Sequence, residues 1–94
     1  MRTVTLHPSH PNPFRPWTAI AYSLTREEDV ELRVLDVRGR VVRTLVDRER
    51  QGEGRHTYAW RGRDDSGRPV ASGVYLVRLH GAGLEASGTV SVVK

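Results

Sequence analysis

Cysteine is absent from this sequence of 94 residues, and the single lysine is Lys94. Without cysteine the chain has no disulfide, no thiolate metal site and no cysteine nucleophile, so packing and turn geometry must stabilise it. Long apolar runs are also lacking, since no segment approaches the roughly 18 to 20 residues that a membrane-spanning helix requires. We therefore expect one small domain over residues 1–94 with no membrane span.

Charge of one sign is nowhere concentrated along the chain. The formal net charge is +4, yet acidic residues interrupt the basic ones, as at residues 26–29 and 47–50. Nucleic-acid-binding domains usually show a basic face with aromatic residues between the charges. We therefore expect no nucleic-acid partner.

Two-residue alternation of apolar and polar side chains dominates from position 18 onward, and helical periodicity is nearly absent. About six or seven short strands at this spacing indicate an all-β antiparallel sandwich. The clearest predicted strands cover residues 18–24, 30–34, 41–46, 56–60, 73–79 and 89–93, with polar or glycine-containing breaks at 36–40, 47–54, 61–69 and 81–83.

One face of each predicted strand carries large apolar side chains, and this face should line the interior. Trp60 is expected to be the largest residue of the core. The expected core consists of Ile20, Tyr22, Leu32, Val34, Trp60, Tyr75, Val77 and Leu79.

Residues 1–17 form a proline-rich N-terminal segment. Four prolines lie within residues 6–16, and their missing amide hydrogens exclude a central strand. We expect this segment to lie along a sheet edge, with Phe14 inserted into one end of the sandwich.

Residues with catalytic or metal-binding chemistry are few. His7 and His10 are three positions apart, but the neighbouring prolines prevent the helical turn that would place them on one face, and zinc needs three or four ligands. Asp64 and Asp65 fit an Asx-turn, which turn statistics favour, or a calcium site. No serine or histidine stands in a nucleophile-elbow context, and the glycines of residues 61–69 precede a strand and not a helix. We therefore expect neither an enzyme nor a cofactor.

Trp17 precedes the first clear strand and has two interpretations. Large aromatic side chains are mostly buried, which favours an indole that covers the edge of the sandwich. The alternative is an exposed indole that stacks on a sugar.

An ordered series of short motifs resembles a known family. The series consists of Pro-Asn-Pro-Phe at residues 11–14, Tyr-Ser-Leu at 22–24, Val-Leu-Asp-Val-Arg-Gly-Arg at 34–40 and Asp-Asp-Ser-Gly-Arg-Pro-Val-Ala-Ser-Gly-Val-Tyr at 64–75. Together these motifs resemble the immunoglobulin-like domain shared by flagellar hook-capping proteins and by the C-terminal sorting domains of the type IX secretion system. The resemblance covers nearly the whole chain and implies an immunoglobulin-like β-sandwich.

The resemblance also implies a function. Such a domain is a non-catalytic C-terminal module that carries an N-terminal cargo domain from the periplasm, through the outer-membrane secretion machinery, to the cell surface or the medium. The machinery would pair with the free backbone edge of the last strand, from Thr89 to Lys94. The residues expected to contact the partner are Pro11, Asn12, Pro13, Phe14, Gly73, Tyr75, Val90, Val92, Val93 and Lys94.

Two alternative functions are compatible with the sequence. One is a carbohydrate-binding or spacer module of a secreted glycoside hydrolase, in which Trp17 and Tyr22 or Tyr58 would bind a polysaccharide. The other is a structural domain of a hook-capping protein.

Overall fold

The chain folds into strands joined by short turns. The computed structural model describes residues 4–94, and residues 1–3 of the N-terminal segment lie outside the described residues. No helix occurs between residues 4 and 94, which confirms the all-β prediction. The strands are β1 (Val4–Leu6), β2 (Thr18–Leu24), β3 (Glu28–Leu35), β4 (Val41–Gln51), β5 (Gly54–Trp60), β6 (Gly73–Gly81) and β7 (Leu84–Val92).

The seven strands form two sheets. One sheet has three strands in the order β1-β2-β5, and the other has four strands in the order β4-β3-β6-β7. All neighbouring strands are antiparallel. The sheets enclose a single apolar core between them, so the predicted immunoglobulin-like antiparallel β-sandwich is confirmed. In the described part of the chain, no helix has the length and apolar character needed to cross a membrane.

The core contains all eight residues that the alternation predicts, and each of them is buried. Trp60 has the largest of these side chains, and its ring centroid lies 5.4 Å from that of Phe14 and 5.5 Å from that of Tyr75. Its indole N–H donates a hydrogen bond of 3.0 Å to the carbonyl of Arg63. The indole is thus buried on its apolar side and satisfied at its polar atom, as a core tryptophan requires.

β4 is longer than the sequence predicts. It continues to Gln51, although the polar residues 47–54 indicate a break. Its second half pairs with residues 28–30 of β3, and backbone pairing requires no apolar side chain. Arg48 has a positive φ of 47° beside the register shift between Val30 and Leu32, so the strand bends without ending.

β6 and β7 are also longer than predicted, because they form one continuous hairpin. Their pairing runs from Gly81 and Leu84, beside the turn, to Gly73 and Val92 at the other end. The start predicted for the last strand, at residue 89, is wrong by five residues, since β7 begins at Leu84. Residues 84–88 contain no β-branched or aromatic residue and only one large apolar side chain, Leu84, so their strand signal in the sequence is weak.

The turn between β3 and β4 has the geometry expected from its glycine. Gly39 has a φ of +86°, in the region that glycine favours. The Oδ1 atom of Asp36 accepts hydrogen bonds from the backbone N–H groups of Arg38 (2.9 Å) and Arg40 (3.0 Å). These bonds, chiefly that from the Arg40 N–H, hold the pKa of Asp36 below its ordinary value.

Candidate interaction site at the C-terminal end of the sandwich

The N-terminal segment crosses from one sheet to the other. The N–H of His7 donates to the carbonyl of Ala21 (2.9 Å), and His10 exchanges two backbone hydrogen bonds with Ala19 (2.8 and 3.1 Å), so this part extends the edge of the three-stranded sheet. Four residues later the N–H of Phe14 donates to the carbonyl of Ser91 in β7 (2.9 Å). The segment thus closes one open side of the sandwich.

Asn12 and Phe14 bind the backbone of β7 directly. The side chain of Asn12 accepts a hydrogen bond from the N–H of Ser91 (2.8 Å) and donates one to the carbonyl of Thr89 (3.3 Å). The N–H of Val93 donates to the carbonyl of Phe14 (3.1 Å). The edge of the last strand is therefore occupied from residue 89 to residue 93 by the chain itself, and the prediction that this edge is free for a partner is wrong.

Phe14 closes the end of the sandwich, as predicted. Only 3% of its surface is exposed, and its ring packs against Trp60. Gly62 lies beneath the ring, and a Cβ atom at this position would come within 3.7 Å of Phe14. Phe14 thus joins the core, where a partner could not reach it without displacing the segment.

Gly73 and Tyr75 also have structural positions. Gly73 begins β6 opposite Val92. The Tyr75 ring packs edge-on against Trp60, and its hydroxyl donates to the carbonyl of Ala71 (2.7 Å). This is the tyrosine corner of immunoglobulin-like sandwiches, and burial raises the pKa of the phenol.

The side chains at the end of β7 divide between the interior and the surface. Val90 and Val92 are buried in the core, whereas Val93 and Lys94 are exposed. Strand alternation places Val74 on the outer face of the four-stranded sheet, opposite Ser91, and 49% of its surface is exposed. Leu76 lies two positions further along β6 on the same face and is partly buried, and we call Val74, Leu76 and Val93 the outer patch. Of these three residues only Val93 was expected to contact a partner. The sequence does not distinguish an outward-facing apolar residue of a strand from an inward-facing one unless the alternation is clear.

A groove of about 130 Å³ lies beside the chain's C-terminal residues. Four cationic side chains surround it, and none of them forms an ion pair with the carboxylates of residues 4–94. We call it the end groove, and its charged residues are Arg15, Arg61, Arg63 and Lys94. Of these four residues only Lys94 was expected from the sequence, because the arginines come from two distant segments that the fold brings together.

Residues 18–84 match the family model described as the FlgD Ig-like domain. The chain belongs to this family. The match confirms the resemblance drawn from the motifs between residues 18 and 75.

Solved structures share the fold of this FlgD Ig-like domain. Dimeric latent PorU from Porphyromonas gingivalis superimposes with a TM-score of 0.76 at 19% identity, over 96% of this chain and 9% of PorU. PorZ, a bacterial surface component of the type IX secretion system of the same organism, gives a TM-score of 0.64 at 20% identity, over 95% of this chain and 11% of PorZ. The chain therefore spans about a tenth of each of these proteins. No curated protein matches it.

Trp17 is exposed in this FlgD Ig-like domain, with 43% of its surface accessible. The favoured interpretation, in which the indole covers the sandwich edge, is therefore wrong. The local reason is that Thr18, the next residue, takes the buried position opposite Trp60, which leaves Trp17 outside the sheet.

The two tyrosines proposed as further sugar platforms differ in exposure. Tyr22 is fully buried and bonds through its hydroxyl to Gln51, and burial is the main cause that raises its pKa. Tyr58 is partly buried, and its hydroxyl accepts a hydrogen bond of 2.6 Å from the amide of Gln51. Tyr22 is therefore excluded as a sugar platform.

Asp64 forms the predicted Asx-turn. Its Oδ1 atom accepts hydrogen bonds from the N–H and hydroxyl of Ser66 (3.0 and 2.9 Å) and from the N–H of Arg68 (3.0 Å). These bonds, chiefly that from Arg68, lower the pKa of Asp64. Asp65 instead accepts from the N–H of Thr44 (2.9 Å) and fastens the loop to β4. Within residues 4–94, no three His, Asp or Glu side chains are grouped to hold a metal ion.

His7 and Ser23 form the contact most similar to catalytic geometry. The Nε2 atom of His7 lies 2.7 Å from Oγ of Ser23. Among the described residues no carboxylate hydrogen-bonds to His7, so nothing orients the ring as the acid of a triad does. The pair sits on the outer face of β2, where it fastens the N-terminal segment to the sheet.

Proposed function

We propose that this FlgD Ig-like domain is a non-catalytic sorting and surface-attachment module of a larger secreted bacterial protein. Its partner would be the outer-membrane machinery of the type IX secretion system, and its cargo an N-terminal domain of the same protein. The module would act in the periplasm and reach the cell surface or the medium. The family match and the fold shared with PorZ, a surface component of that system, support this proposal.

The observation that carries the proposal is the rigid attachment of the C-terminal strand. Hydrogen bonds with Asn12 and Phe14 hold β7 as far as Val93, so Val93 is presented on a fixed surface and Lys94 follows directly after it. A pre-organised surface lowers the entropic cost of binding. Because the strand edge is occupied, the machinery would contact the outer patch and Lys94 and not the backbone edge.

Export of a fused reporter tests the proposal. In a host with type IX machinery, a periplasmic reporter joined to the N-terminus of this domain should reach the surface or the medium. Introducing Val74→Glu and Val93→Glu together should leave it in the periplasm, since both charges enter the outer patch. Val37→Glu is the matched control, because Val37 is 74% exposed in the β3–β4 turn and lies outside the patch.

Folding of each variant must be checked by circular dichroism and thermal unfolding. Deletion of the last residues would not separate recognition from folding, because it removes the buried side chains of Val90 and Val92. Lys94 offers a milder change, since substitution of an exposed terminal residue usually alters stability by less than about 0.5 kcal/mol. An intact fusion that stays in the periplasm, or a folded Val74→Glu/Val93→Glu variant that is exported normally, would contradict the proposal.

A second candidate function is polysaccharide binding, and the exposed indole of Trp17 favours it. Sugar rings stack on exposed aromatic faces, and here Trp17 would provide the platform with little help from other rings. A pull-down with insoluble polysaccharides tests this function. If Trp17→Ala abolishes polysaccharide binding and the intact fusion remains in the periplasm, polysaccharide binding replaces sorting as the proposed function. If export and polysaccharide binding both fail, a structural role like that of hook-capping proteins is the remaining alternative.

A further inference from the structure

The outer edge of β5 has unpaired backbone groups. In β2, the backbone groups of Ala19 and Ala21 form hydrogen bonds with the N-terminal segment. The backbone N–H and C=O groups of the residues between and beside them therefore point toward β5. Their partners in β5 are the even-numbered residues from Gly54 to Trp60. By alternation, the N–H and C=O groups of residues 55, 57 and 59 point away from β2. No described strand pairs with that side of β5, so these groups are open to a partner.

A second groove, of about 170 Å³, lies next to this edge between β5 and β4. Its floor is apolar, from Leu45, Ala59 and Trp60. Three arginines line it, Arg43, Arg61 and Arg63, and no acidic side chain does. We call it the β5 groove. It shares Arg61 and Arg63 with the end groove, so the two grooves form one continuous basic surface.

Carboxylates of the described residues do not neutralise this surface through ion pairs. The salt bridges of the chain involve other arginines, and most of them lie at the opposite end of β3 and β4, such as that between Arg50 and Asp29 (3.4 Å). The carboxylates of the adjoining loop, Asp64 and Asp65, accept hydrogen bonds from Ser66, Arg68 and Thr44. Arg43 and Arg63 reach only backbone carbonyls, at 3.3 and 3.0 Å.

We propose that the edge of β5 and the β5 groove bind an extended acidic peptide segment of a partner protein by strand addition. The peptide backbone would pair with the free groups of residues 55, 57 and 59. Every second side chain would then point toward the sandwich, where carboxylates would meet Arg43, Arg61 and Arg63. Guanidinium groups favour carboxylates because they can donate two parallel hydrogen bonds. This inference does not depend on the proposed sorting function.

Charge and geometry distinguish this occupant from two others. A second copy could pair along the same edge, but antiparallel pairing centred on Thr57 would place residue 61 opposite residue 53, so the three arginines of each copy would meet a single carboxylate, Glu53. An anionic polysaccharide would satisfy the arginines, but it has no regular row of amide donors and carbonyl acceptors to match the strand edge. An acidic peptide uses both features of the surface.

Fluorescence anisotropy with two labelled eight-residue probes tests the proposal. One probe alternates threonine and glutamate, and the control probe alternates threonine and glutamine. We expect saturable binding of the glutamate probe, at least about tenfold weaker binding of the glutamine probe, and loss of affinity as salt is raised. Arg61→Gln with Arg63→Gln should weaken binding of the glutamate probe about tenfold, since two partly exposed arginine–carboxylate pairs are lost.

The matched control variant is Arg26→Gln with Arg38→Gln, which changes the charge equally at exposed positions outside both grooves. Its affinity for the glutamate probe should stay within about twofold of the wild type. Equal losses in the two double variants would show that net charge alone controls binding and would overturn the proposal.

Amide hydrogen exchange tests strand addition without any substitution. In the complex with the glutamate probe, the amides of Arg55, Thr57 and Ala59 should exchange at least about tenfold more slowly, because each gains a backbone acceptor. Unchanged exchange at these amides would refute strand addition even if the probe binds. Tighter binding of alginate than of the peptide would assign the surface to polysaccharide, and a concentration-dependent dimer that the probe does not dissociate would assign it to a second copy.

Discussion

Asn12 and Ser91 are 79 residues apart in the sequence and are joined by a hydrogen bond of 2.8 Å from the backbone N–H of Ser91 to Oδ1 of Asn12. The Nδ2 atom of Asn12 donates a second hydrogen bond to the carbonyl of Thr89, so one side chain spans two residues of β7. The contact links the start of the domain to its last strand. The Pro-Asn-Pro-Phe segment suits this contact, because the prolines have no backbone N–H that could compete with that of Ser91 for the side-chain oxygen of Asn12.

Asn12→Ala should destabilise the domain by about 1 to 2 kcal/mol, because two hydrogen bonds of ordinary strength are lost at an exposed site. Asn12→Asp should cost less, since a carboxylate still accepts from Ser91. Urea denaturation measures both changes. Amide exchange at Ser91 should accelerate in Asn12→Ala, and an unchanged rate would show that Asn12 does not hold β7.

Trp60→Ala should destabilise the domain by about 3 to 5 kcal/mol, the usual cost of deleting a large buried aromatic side chain. Trp17→Ala should change stability by less than about 1 kcal/mol because the indole is largely exposed. Chemical denaturation of the two variants at the same temperature provides the comparison. A larger loss for Trp17→Ala would reverse the assignment of these residues to core and surface.

Stability should fall in acid because of the Asp36 and Asp64 turns. The folded-state pKa of each carboxyl lies below its ordinary value of 3.8, chiefly through hydrogen bonds from the Arg40 and Arg68 backbone N–H groups. A lowered pKa contributes stability that is complete above the unfolded-state pKa and is lost as pH falls through the folded-state pKa. The free energy of unfolding, measured in urea from about pH 5 to about pH 2, should decrease over this range.

The double variant of these turns isolates their contribution. Asp36→Asn with Asp64→Asn keeps an acceptor oxygen in each turn but removes the titration, so its acid-dependent loss should be smaller than in the wild type. Asp47→Asn is the control, because Asp47 is exposed and caps no turn. If the control variant reduces the acid-dependent loss of unfolding free energy as much as the double variant does, the two turns do not cause that loss.

Alkaline pH should also reduce stability, through Tyr22. Burial raises the folded-state pKa of its phenol above the ordinary value of 10.0. Above that ordinary value the unfolded chain loses the proton while the folded chain keeps it, so the free energy of unfolding decreases as pH rises. Tyr22→Phe removes this group, and its profile above about pH 10 should be flatter. Phenolate absorbance at about pH 11 should increase more on unfolding in urea for the wild type than for Tyr22→Phe, since the raised pKa of Tyr75 is common to both.

The sequence by itself determined the interior of this domain. Residues such as Leu32, Val34 and Val77 alternate with polar neighbours, and a strand with one buried face places such residues inside. Local chemistry also determined the turns at Gly39 and Asp64, because each depends on a positive φ or a side-chain acceptor within a few residues. The fold class and six of the seven described strands follow from these local signals, whereas β1 gives none.

Tertiary structure alone decided which backbone edges are occupied and where the exposed charges meet. The expectation of a free edge on β7 was wrong because Asn12 and Phe14 reach it from the far end of the chain, and no local pattern encodes that contact. Arg43 and Arg61 line one groove because β4 and β5 lie in different sheets whose edges adjoin. Whether a side chain points into the core depends on alternation within its own strand. Which strand edges are paired and which charges lie close together depend on strands that are distant in the sequence.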